Sequence, residues 1–364
     1  MQISTVRSRQ SDKISSALAT ACALAACLLI GTAPAHAFTF CVSSAAELQA
    51  ALAASSTNGA HDGESNTVWV TTGTYQTGTA TNNGPFYYHS SSATGGLQII
   101  GGYASGCFPQ TRDARLTVLD GGNATAVLEL HNAVHDVEVG FLTIQNGESG
   151  NVGAGLSMNP ISGDNGQTII YNNIIRNNHT TNQAGGLFAH STTSDIPFLY
   201  NNLIVGNSAD QGFGAGNFGA SGTGGAGVYN NTVTQNSTSL SGGSGGLYFY
   251  CSGPNNCPVA NNIFFNDAGS GLYLATSVST LDYNDYGTLG GFPALNGTGN
   301  VSVNPQFVDS ANNNFHLSGT SPLLAISPIP AIRDDLEGHP YAINGNVDLG
   351  AYAETIFADG FDGD

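Results

Sequence analysis

The sequence predicts an all-β repeat protein in which short strands stack, turn upon turn, into a solenoid. An Asn-Asn pair returns at a nearly constant step, with its first residue at positions 172, 201, 230 and 261, so the steps are 29, 29 and 31 residues. A unit of this length is too short for a domain and buries its apolar edge only by stacking on its neighbours. Low charge and 49 glycines can also indicate disorder. The regular return of apolar residues favours a packed solenoid instead.

The N-terminal segment has the organisation of a secretory signal peptide. Arg7, Arg9 and Lys13 form a basic start, an apolar, Ala-rich run covers residues 14–30, and Ala-His-Ala at 35–37 is a small-x-small cleavage site. A transmembrane anchor is the alternative, but the apolar run is short for a span and ends in the cleavage motif. We therefore predict a signal peptide over residues 1–37 and a secreted or cell-surface location.

The predicted mature chain is strongly acidic. Removal of residues 1–37 takes away three of the seven cations and one of the 25 acids, which leaves four arginines against 24 acids and a net charge of −20. Such a surface repels nucleic acid and anionic lipid. No other long apolar segment follows. We therefore expect no nucleic-acid partner and no membrane span.

Four cysteines remain after the signal peptide, namely Cys41, Cys107, Cys251 and Cys257. An even number in an exported chain favours disulfides. Cys251 and Cys257 bracket a turn-forming SGPNN loop and are predicted to pair, which leaves Cys41 with Cys107. A metal site is the alternative, but the chain lacks CxxC spacing and a nearby histidine.

Alternation along the strands predicts which asparagines point inward. The second residue of each Asn-Asn pair lies on the same face as the apolar residues that follow it. Stacked amides can satisfy one another along the axis, as in the Asn ladders of cross-β structures. We therefore predict a structural Asn ladder of Asn173, Asn202, Asn231 and Asn262, and a second stack of Asn178, Asn207, Asn236 and Asp267.

The order of motifs resembles the right-handed parallel β-helix proteins of the pectate-lyase-like superfamily. VSSAAELQAAL, with a capping box at Ser44–Glu47, followed by TVWVTTGTY, is similar to their cap helix and first strand. LQIIGGYASGC, TVLDGG and FLTIQNG are similar to the early coils of exported bacterial members. The stretch from NPQF through NFHLSGTSPLL to DLGAYA is similar to the choice-of-anchor Q domain. It departs from that pattern after Ser321, where SPLLAISPIP follows, and at Glu354, which comes one residue late.

This resemblance implies the fold class and the domain limits. We expect a right-handed parallel β-helix of about 10 turns over residues 38–303, sealed at its start by a short α-helical cap. Residues 304–355 are expected to form an anchor-type section that closes the helix. Residues 356–364 are expected to form an acidic, aromatic tail that resembles a sorting signal.

The resemblance also implies two chemistries to test against the residues. Lyases of the superfamily use Ca²⁺ with an Arg or Lys base, and the mature chain has no lysine. Arg176 is the candidate base, although its neighbours in adjacent turns carry no acid and a solvated outer arginine is the alternative. A glycosidase needs paired carboxylates, and the densest acidic cluster is Glu129, Asp136 and Glu138. Its alternative is an ordinary polar outer face.

Calcium is the one cofactor that the acidic turns suggest. Asp282, Asn284 and Asp285, and the group Asp334, Asp335 and Glu337, offer oxygen ligands, but without EF-hand spacing. Solvated turns explain these residues better than calcium ligands do. We therefore predict no cofactor and no metal site, with Ca²⁺ kept as the alternative.

Outward aromatic residues offer the most specific indication of a ligand. The residue after Leu in the Gly-Gly-Leu type strands is predicted to align outward from turn to turn, beside further polar positions. Aromatic side chains next to Asn and His are suited to stacking on sugar rings, whereas an ordinary mixed β surface is the alternative. The predicted glycan-binding residues are Phe188, His190, Tyr248, Tyr250 and Tyr273.

Taken together, the residues favour a secreted or surface-displayed structural and binding protein that contacts a polysaccharide or cell-surface glycan. The chain shows no clear catalytic constellation, so we lean against an enzyme. A polysaccharide lyase or glycoside hydrolase is the alternative, and self-association into a surface layer is a third possibility. The sequence leaves the oligomeric state open.

Overall fold

The computed structural model shows a nearly all-β chain wound into a parallel β-solenoid, as the repeat predicts. It describes residues 37–78, 84–92, 94–131, 136–158, 167–192, 196–222, 224–252, 257–276, 280–292, 297–332, 334–341 and 345–354. The predicted signal peptide up to residue 36 and the tail from 356 to 364 lie outside the described residues. Within them, no helix is long and apolar enough to cross a membrane.

Four turns run through sheet A, sheet B, the short sheet C and sheet D, and the other turns pass from sheet B to sheet D without a sheet C strand. Neighbouring strands within each of the four sheets are parallel. Sheet A consists of Ala37–Val42, Ser65–Thr71, Gly96–Tyr103, Asp136–Gly140, Thr168–Tyr171, Phe198–Tyr200, Gly227–Tyr229, Pro258–Ala260 and Thr280–Asp282. Sheet B consists of Gly73–Gln76, Thr117–Asp120, Thr143–Gln145, Ile174–Arg176, Leu203–Val205, Thr232–Thr234, Ile263–Phe265 and Asp285–Tyr286.

The remaining strands form the opposite side of each turn and a separate hairpin. Sheet C consists of Glu148–Ser149, His179–Thr180, Ser208–Ala209 and Ser237–Thr238. Sheet D consists of Phe86–His89, Leu128–His131, Leu156–Met158, Leu187–Ser191, Gly216–Ala220, Leu247–Cys251, Leu272–Leu274 and Leu289–Gly291. An antiparallel hairpin pairs Phe307–Asp309 with Asn314–Leu317, and short 3-10 helices cover Ala114–Leu116 and Ser310–Asn312.

The solenoid has about seven turns, so the expectation of about 10 was too high. One early turn is longer than the Asn-Asn step, since Gly96 pairs with Asp136, 40 positions later. The described residues beyond 303 add no strand to sheets A to D. Both features use residues without adding turns.

A single α-helix, Ala45–Ser55, lies at the N-terminal end of the solenoid. The Ser44 hydroxyl accepts a hydrogen bond from the Glu47 backbone N–H, and the Glu47 carboxylate accepts one from the Ser43 N–H, which together satisfy helix-end donors. Leu48 and Leu52 are fully buried in the main apolar core. The helix therefore covers apolar side chains that would otherwise meet solvent at the end of the stack.

The two cysteine pairs are disulfide-bonded. Cys41 is joined to Cys107, which ties the first strand of sheet A to the loop after the third strand. Cys251 is joined to Cys257 across six positions of sequence.

The two asparagines of each pair have different structural roles. The first, at Asn172, Asn201, Asn230 and Asn261, adopts a left-handed backbone with φ between 49° and 62° at the corner between sheets A and B. Asparagine tolerates this conformation better than most residues because its short side chain can bond locally. The corner therefore explains one half of the repeated motif.

The second asparagine of each pair is fully buried and forms a hydrogen-bonded ladder. The Asn173 amide nitrogen donates to Oδ1 of Asn202 at 3.2 Å, and Asn202 donates to Asn231 at 3.0 Å. Each Oδ1 also accepts the backbone N–H of the preceding member, as with Asn173 N–H to Asn202 at 3.0 Å. The ladder runs Asn173, Asn202, Asn231, Asn262, Asn284 and Asn300, and the second runs Asn178, Asn207, Asn236 and Asp267.

The C-terminal section, residues 304–354, lies along the outer face of sheet B. Two hydrogen bonds from its backbone hold it there: Gly350 N–H donates to the Asn261 carbonyl, and Ala351 N–H donates to the Thr232 hydroxyl. Its apolar residues bury the outward side chains of sheet B. The contacts join Phe315, Leu336, Ala351 and Tyr352 to Ile174, Leu203 and Val205, and join Leu317, Leu323 and Leu349 to Ile263.

Candidate functional site

The outer face of sheet D carries an aligned row of side chains, which we call the sheet D row. Pairing of the strands places Phe188 beside Asn217, Asn217 beside Tyr248, and Tyr248 beside Tyr273. All four side chains are half-buried. In full, the row consists of Tyr87, Glu129, Ser157, Phe188, Asn217, Tyr248 and Tyr273.

The rings of the sheet D row pack mainly against one another. Tyr248 and Tyr273 are stacked with centroids 5.7 Å apart and planes 9° apart. Phe213 packs on both, at 4.6 Å from Tyr248 and 5.3 Å from Tyr273. A sugar stacks on an open ring face. Because these faces already contact each other, the row offers solvent mainly ring edges and hydroxyl groups.

A second line on the same sheet contains His190 and Tyr250. The residue between them in the register is Gly219, which has no side chain, so the two rings meet at 5.5 Å with planes 85° apart. Burial lowers the pKa of His190, which favours the neutral imidazole. Its Nε2 atom is enclosed and has no hydrogen-bond partner among the described residues, and the same holds for Oδ1 of Asn217.

The acidic cluster predicted from the sequence is divided between two faces. Glu129 lies in the sheet D row, between Tyr87 and Ser157. Asp136 and Glu138 lie together on the outer face of sheet A, on the strand Asp136–Gly140. The structure thus brings two of the three carboxylates together and places the third on another sheet.

Asp136 and Glu138 line a groove on the outer face of sheet A, which we call the sheet A groove. It consists of two cavities of about 360 and 480 Å³ that share Thr67, Gln98 and Glu138. The Glu138 carboxylate accepts a hydrogen bond from Gln98 Nε2 at 2.7 Å, and the Asp136 carboxylate accepts one from the Gln167 N–H at 2.7 Å. The groove therefore has a polar floor that spans three adjacent strands.

Aromatic side chains form one side of the sheet A groove. Trp69 and Tyr103 are stacked with centroids 5.0 Å apart, and Phe141 meets Tyr171 edge to face at 5.3 Å. The Tyr171 ring lies over Gly140, where an added Cβ atom would come within 2.5 Å of the ring. The register continues this aromatic line along sheet A through Tyr171, Tyr200 and Tyr229.

The C-terminal section completes the wall of the sheet A groove. Arg112 Nη1 contacts the Asp334 carboxylate at 2.8 Å, and both residues line the cavity. The Asp334 carbonyl accepts hydrogen bonds from the side-chain amides of Asn172 and Asn201, at 3.3 and 2.7 Å. The groove thus contains residues from five sheet A strands, from Ala37–Val42 to Thr168–Tyr171, together with the loop of Gln110 and Arg112 and with Asp334, 162 positions after Asn172.

Sequence reasoning missed the aromatic line of sheet A, although a signal for it was present. The tyrosines are the residues directly before the first three Asn-Asn pairs, at 171, 200 and 229. Alternation along each strand places the tyrosine outward, because the residue before it, at 170, 199 and 228, is fully buried. The left-handed first asparagine then interrupts the alternation, so the second asparagine points inward. Their alignment with Trp69 follows only from the register of the early turns.

Arg176 lies on the outer face of sheet B, in register with Gln145 and Val205. Its Nε donates to Oε1 of Gln145 at 2.8 Å. The acidic turns do not converge, since no group of three or more His, Cys, Asp or Glu among the described residues is arranged to hold a metal ion. Asp282 and Asp285 instead accept backbone hydrogen bonds from Thr298 and Val303.

Fold and site together define a parallel β-solenoid with an aromatic and polar groove on one outer face. Comparison with family models, with curated proteins and with solved structures found no match for this chain. The superfamily and anchor-domain resemblances rest on the sequence motifs alone.

Proposed function

We propose that this protein is a secreted or cell-surface β-solenoid that binds neutral glycans in the sheet A groove. The observation that carries the proposal is the combination, in one groove, of the Trp69 and Tyr103 rings with the hydrogen-bonding side chains of Gln98 and Glu138. Sugars present an apolar C–H face to aromatic rings and hydroxyl groups to carboxylates and amides. Trp69 and Tyr103 cover one face of each other, as Tyr248 and Tyr273 do in the sheet D row, so the sugar would contact their remaining faces and edges beside Gln98 and Glu138.

Charge favours a neutral glycan over an acidic one. The chain carries a formal net charge of −18, and Asp136, Glu138 and Asp334 line the groove. Arg112 is the one cation among the lining residues that the structure describes, and Asp334 already pairs with it. An anionic polymer would meet repulsion along the whole groove.

The sheet D row and the neighbouring line of His190 and Tyr250 form a second proposed contact surface for a long glycan. Phe188, Tyr248, Tyr250 and Tyr273 supply ring edges and hydroxyl groups there, whereas Nε2 of His190 is enclosed. We propose that the protein is exported by its N-terminal signal, as the resembling bacterial β-helix proteins are. Residues 304–355 would then act as an anchor that displays the solenoid at the cell surface.

A polysaccharide lyase or glycosidase is the second candidate. It is favoured by the position of Asp136 and Glu138 in the same groove, two residues apart on one strand face. Such a spacing separates the Cα atoms by about 7 Å, which is compatible with paired carboxylates. A reducing-end assay on neutral oligosaccharides tests for a glycosidase, and an unsaturated-product assay on polyuronates tests for a lyase. Both separate an enzyme from a binding protein, which produces no product.

We expect Trp69→Ala to weaken binding of a neutral oligosaccharide at least tenfold, because it removes the largest ring face of the groove. Isothermal titration calorimetry of residues 38–364 against glucose, mannose, galactose and xylose oligosaccharides measures the effect. Phe292→Ala removes an exposed aromatic outside the groove and serves as the matched control. Equal affinity of Trp69→Ala and the unaltered chain, with unchanged thermal melting, would contradict a sheet A site.

A further inference from the structure

A separate cavity of about 390 Å³ lies between sheet B and the C-terminal section. Its floor is apolar and consists of Ile174, Leu203 and Val205, each of which is at most 5% exposed. Arg176 and the half-buried His316 lie at its edge, together with the Asn312–Asn314 loop. A cavity of this size fits a small organic ligand.

The guanidinium of Arg176 differs from those of the other described arginines. Arg112 pairs with Asp334, and Arg115 pairs with Asp113 and Glu337. Arg176 has no carboxylate partner among the described residues, and its one hydrogen bond there joins Nε to Gln145. Among the residues that the structure describes, the edge formed by its two Nη atoms therefore has no partner.

A hydrogen bond from Nε of Arg176 to Gln145 fixes the orientation of this guanidinium. Gln145 accepts from Arg176 Nε through Oε1 and donates through Nε2 to the Asp120 carboxylate at 2.7 Å. An arginine that is held at Nε presents its Nη edge in the planar geometry that a carboxylate binds with two hydrogen bonds. Less rotamer freedom is then lost on binding.

Two further cations line the same cavity, namely Arg115, which already pairs with Asp113 and Glu337, and His316. His316 lies between Glu337 and Glu354, with ring nitrogens 3.4 and 3.0 Å from their oxygens. Burial opposes protonation, but hydrogen bonds to the two carboxylates outweigh it and raise the pKa of His316 to about 9. At neutral pH the ring is protonated, and the two glutamates around it are already engaged.

We propose that this cavity binds a small monocarboxylate with an apolar body, with the carboxylate on the Nη edge of Arg176 and the body on Ile174, Leu203 and Val205. The net charge of −18 excludes a polyanion by long-range repulsion, so the ligand carries a single negative charge. This site is distinct from the sheet A groove in position, charge and ligand chemistry.

Calorimetric titration of residues 38–364 with benzoate tests the proposal, and benzyl alcohol is the uncharged comparison ligand. We expect benzoate to bind with a dissociation constant of about 1 mM or tighter. Arg176→Gln should weaken it about tenfold or more, because a charge-assisted bidentate pair is lost. Arg176→Lys should give an intermediate loss, because the charge remains while the fork is lost.

Gln211→Glu is the charge-matched control, because it lowers the net charge by one at an exposed position away from the cavity. It should bind benzoate as the unaltered chain does. The proposal is overturned if benzoate and benzyl alcohol bind equally, if Arg176→Gln retains the affinity, or if no benzoate binding is found up to 10-fold above the expected dissociation constant. Trp69→Ala should leave benzoate binding intact, so failure here and failure of the glycan site are separate results.

Discussion

Asn202→Leu should lower the free energy of unfolding by about 3–5 kcal/mol, since it breaks the middle of the first ladder. The Asn202 side chain accepts the backbone and amide N–H groups of Asn173 at 3.0 and 3.2 Å. It also donates to Ile170, Tyr200 and Asn231. Leucine has a similar volume but satisfies none of these groups, so buried donors and acceptors in two adjacent turns lose their partners.

Denaturant unfolding followed by far-UV circular dichroism measures this loss for the variant and the unaltered chain. Asn151→Leu is the matched control, because Asn151 is exposed on the surface and the same replacement there leaves the ladders intact. The control should change stability by less than about 0.5 kcal/mol. If Asn202→Leu and Asn151→Leu unfold at the same denaturant concentration, the ladder does not contribute to stability as argued.

Asp267→Asn should stabilise the protein at pH 8. In the second ladder, Nδ2 of Asn178, Asn207 and Asn236 donates to the carbonyls of Ile144, Ile175 and Ile204 respectively. Asp267 ends this ladder with an oxygen, Oδ2, which is enclosed and has no partner among the described residues. Desolvation raises the pKa of Asp267 to about 7, against a weaker opposing effect of the hydrogen bonds from Asn236.

The sign of the pH effect follows from this shift. The folded pKa lies above the unfolded value of 3.8, so the folded state holds the proton more tightly. Stability is therefore complete below about pH 4, falls as the pH rises, and reaches its lower level above about pH 7. Asparagine cannot ionise and has an amide N–H donor at every pH, so the Asp267→Asn variant avoids this loss of stability.

The expected gain in the free energy of unfolding at pH 8 is about 2 kcal/mol. This is half of the free energy that the whole pKa shift of Asp267 corresponds to, because the residue retains partial exposure to solvent. The difference in unfolding free energy between Asp267→Asn and the unaltered chain should shrink as the pH falls from 8 to 4. Asp309→Asn removes the same charge from an exposed position and is the control. A variant that is no more stable than this control at pH 8 would contradict the interpretation.

The regular part of the fold was predictable because the physical cause lies within one repeat. Asparagine tolerates the left-handed corner and satisfies buried backbone groups, so the Asn-Asn pair marks where each turn bends from sheet A to sheet B. A constant step then fixes the register of neighbouring turns. Phe188 and Asn217, 29 positions apart, are aligned in the structure as this register predicts.

The sheet A groove was not predictable by the same means. Trp69, Gln98 and Glu138 come from early turns, where the step between paired residues lengthens to 40 and no motif marks the register. Asp334 reaches the groove only because the C-terminal section packs along the outer face of sheet B, where the Asp334 carbonyl accepts a hydrogen bond from the Asn201 amide. Glu129 and Asp136 are close in sequence but belong to different sheets, so their clustering in sequence did not indicate proximity in space.

The two ladders also make the solenoid polar along its axis. In every described step the side-chain donor belongs to the earlier turn and the acceptor to the later one, from Asn173 to Asn202 and from Asn178 to Asn207. A stack that ends at an inner turn would therefore expose an amide donor that only the next turn can satisfy. Asp267 accepts two hydrogen bonds from Asn236, and in its ionised form, above about pH 7, it has no proton to donate to a next turn. This aspartate thus ends the second ladder, so the residue type at position 267 determines how many turns the ladder spans.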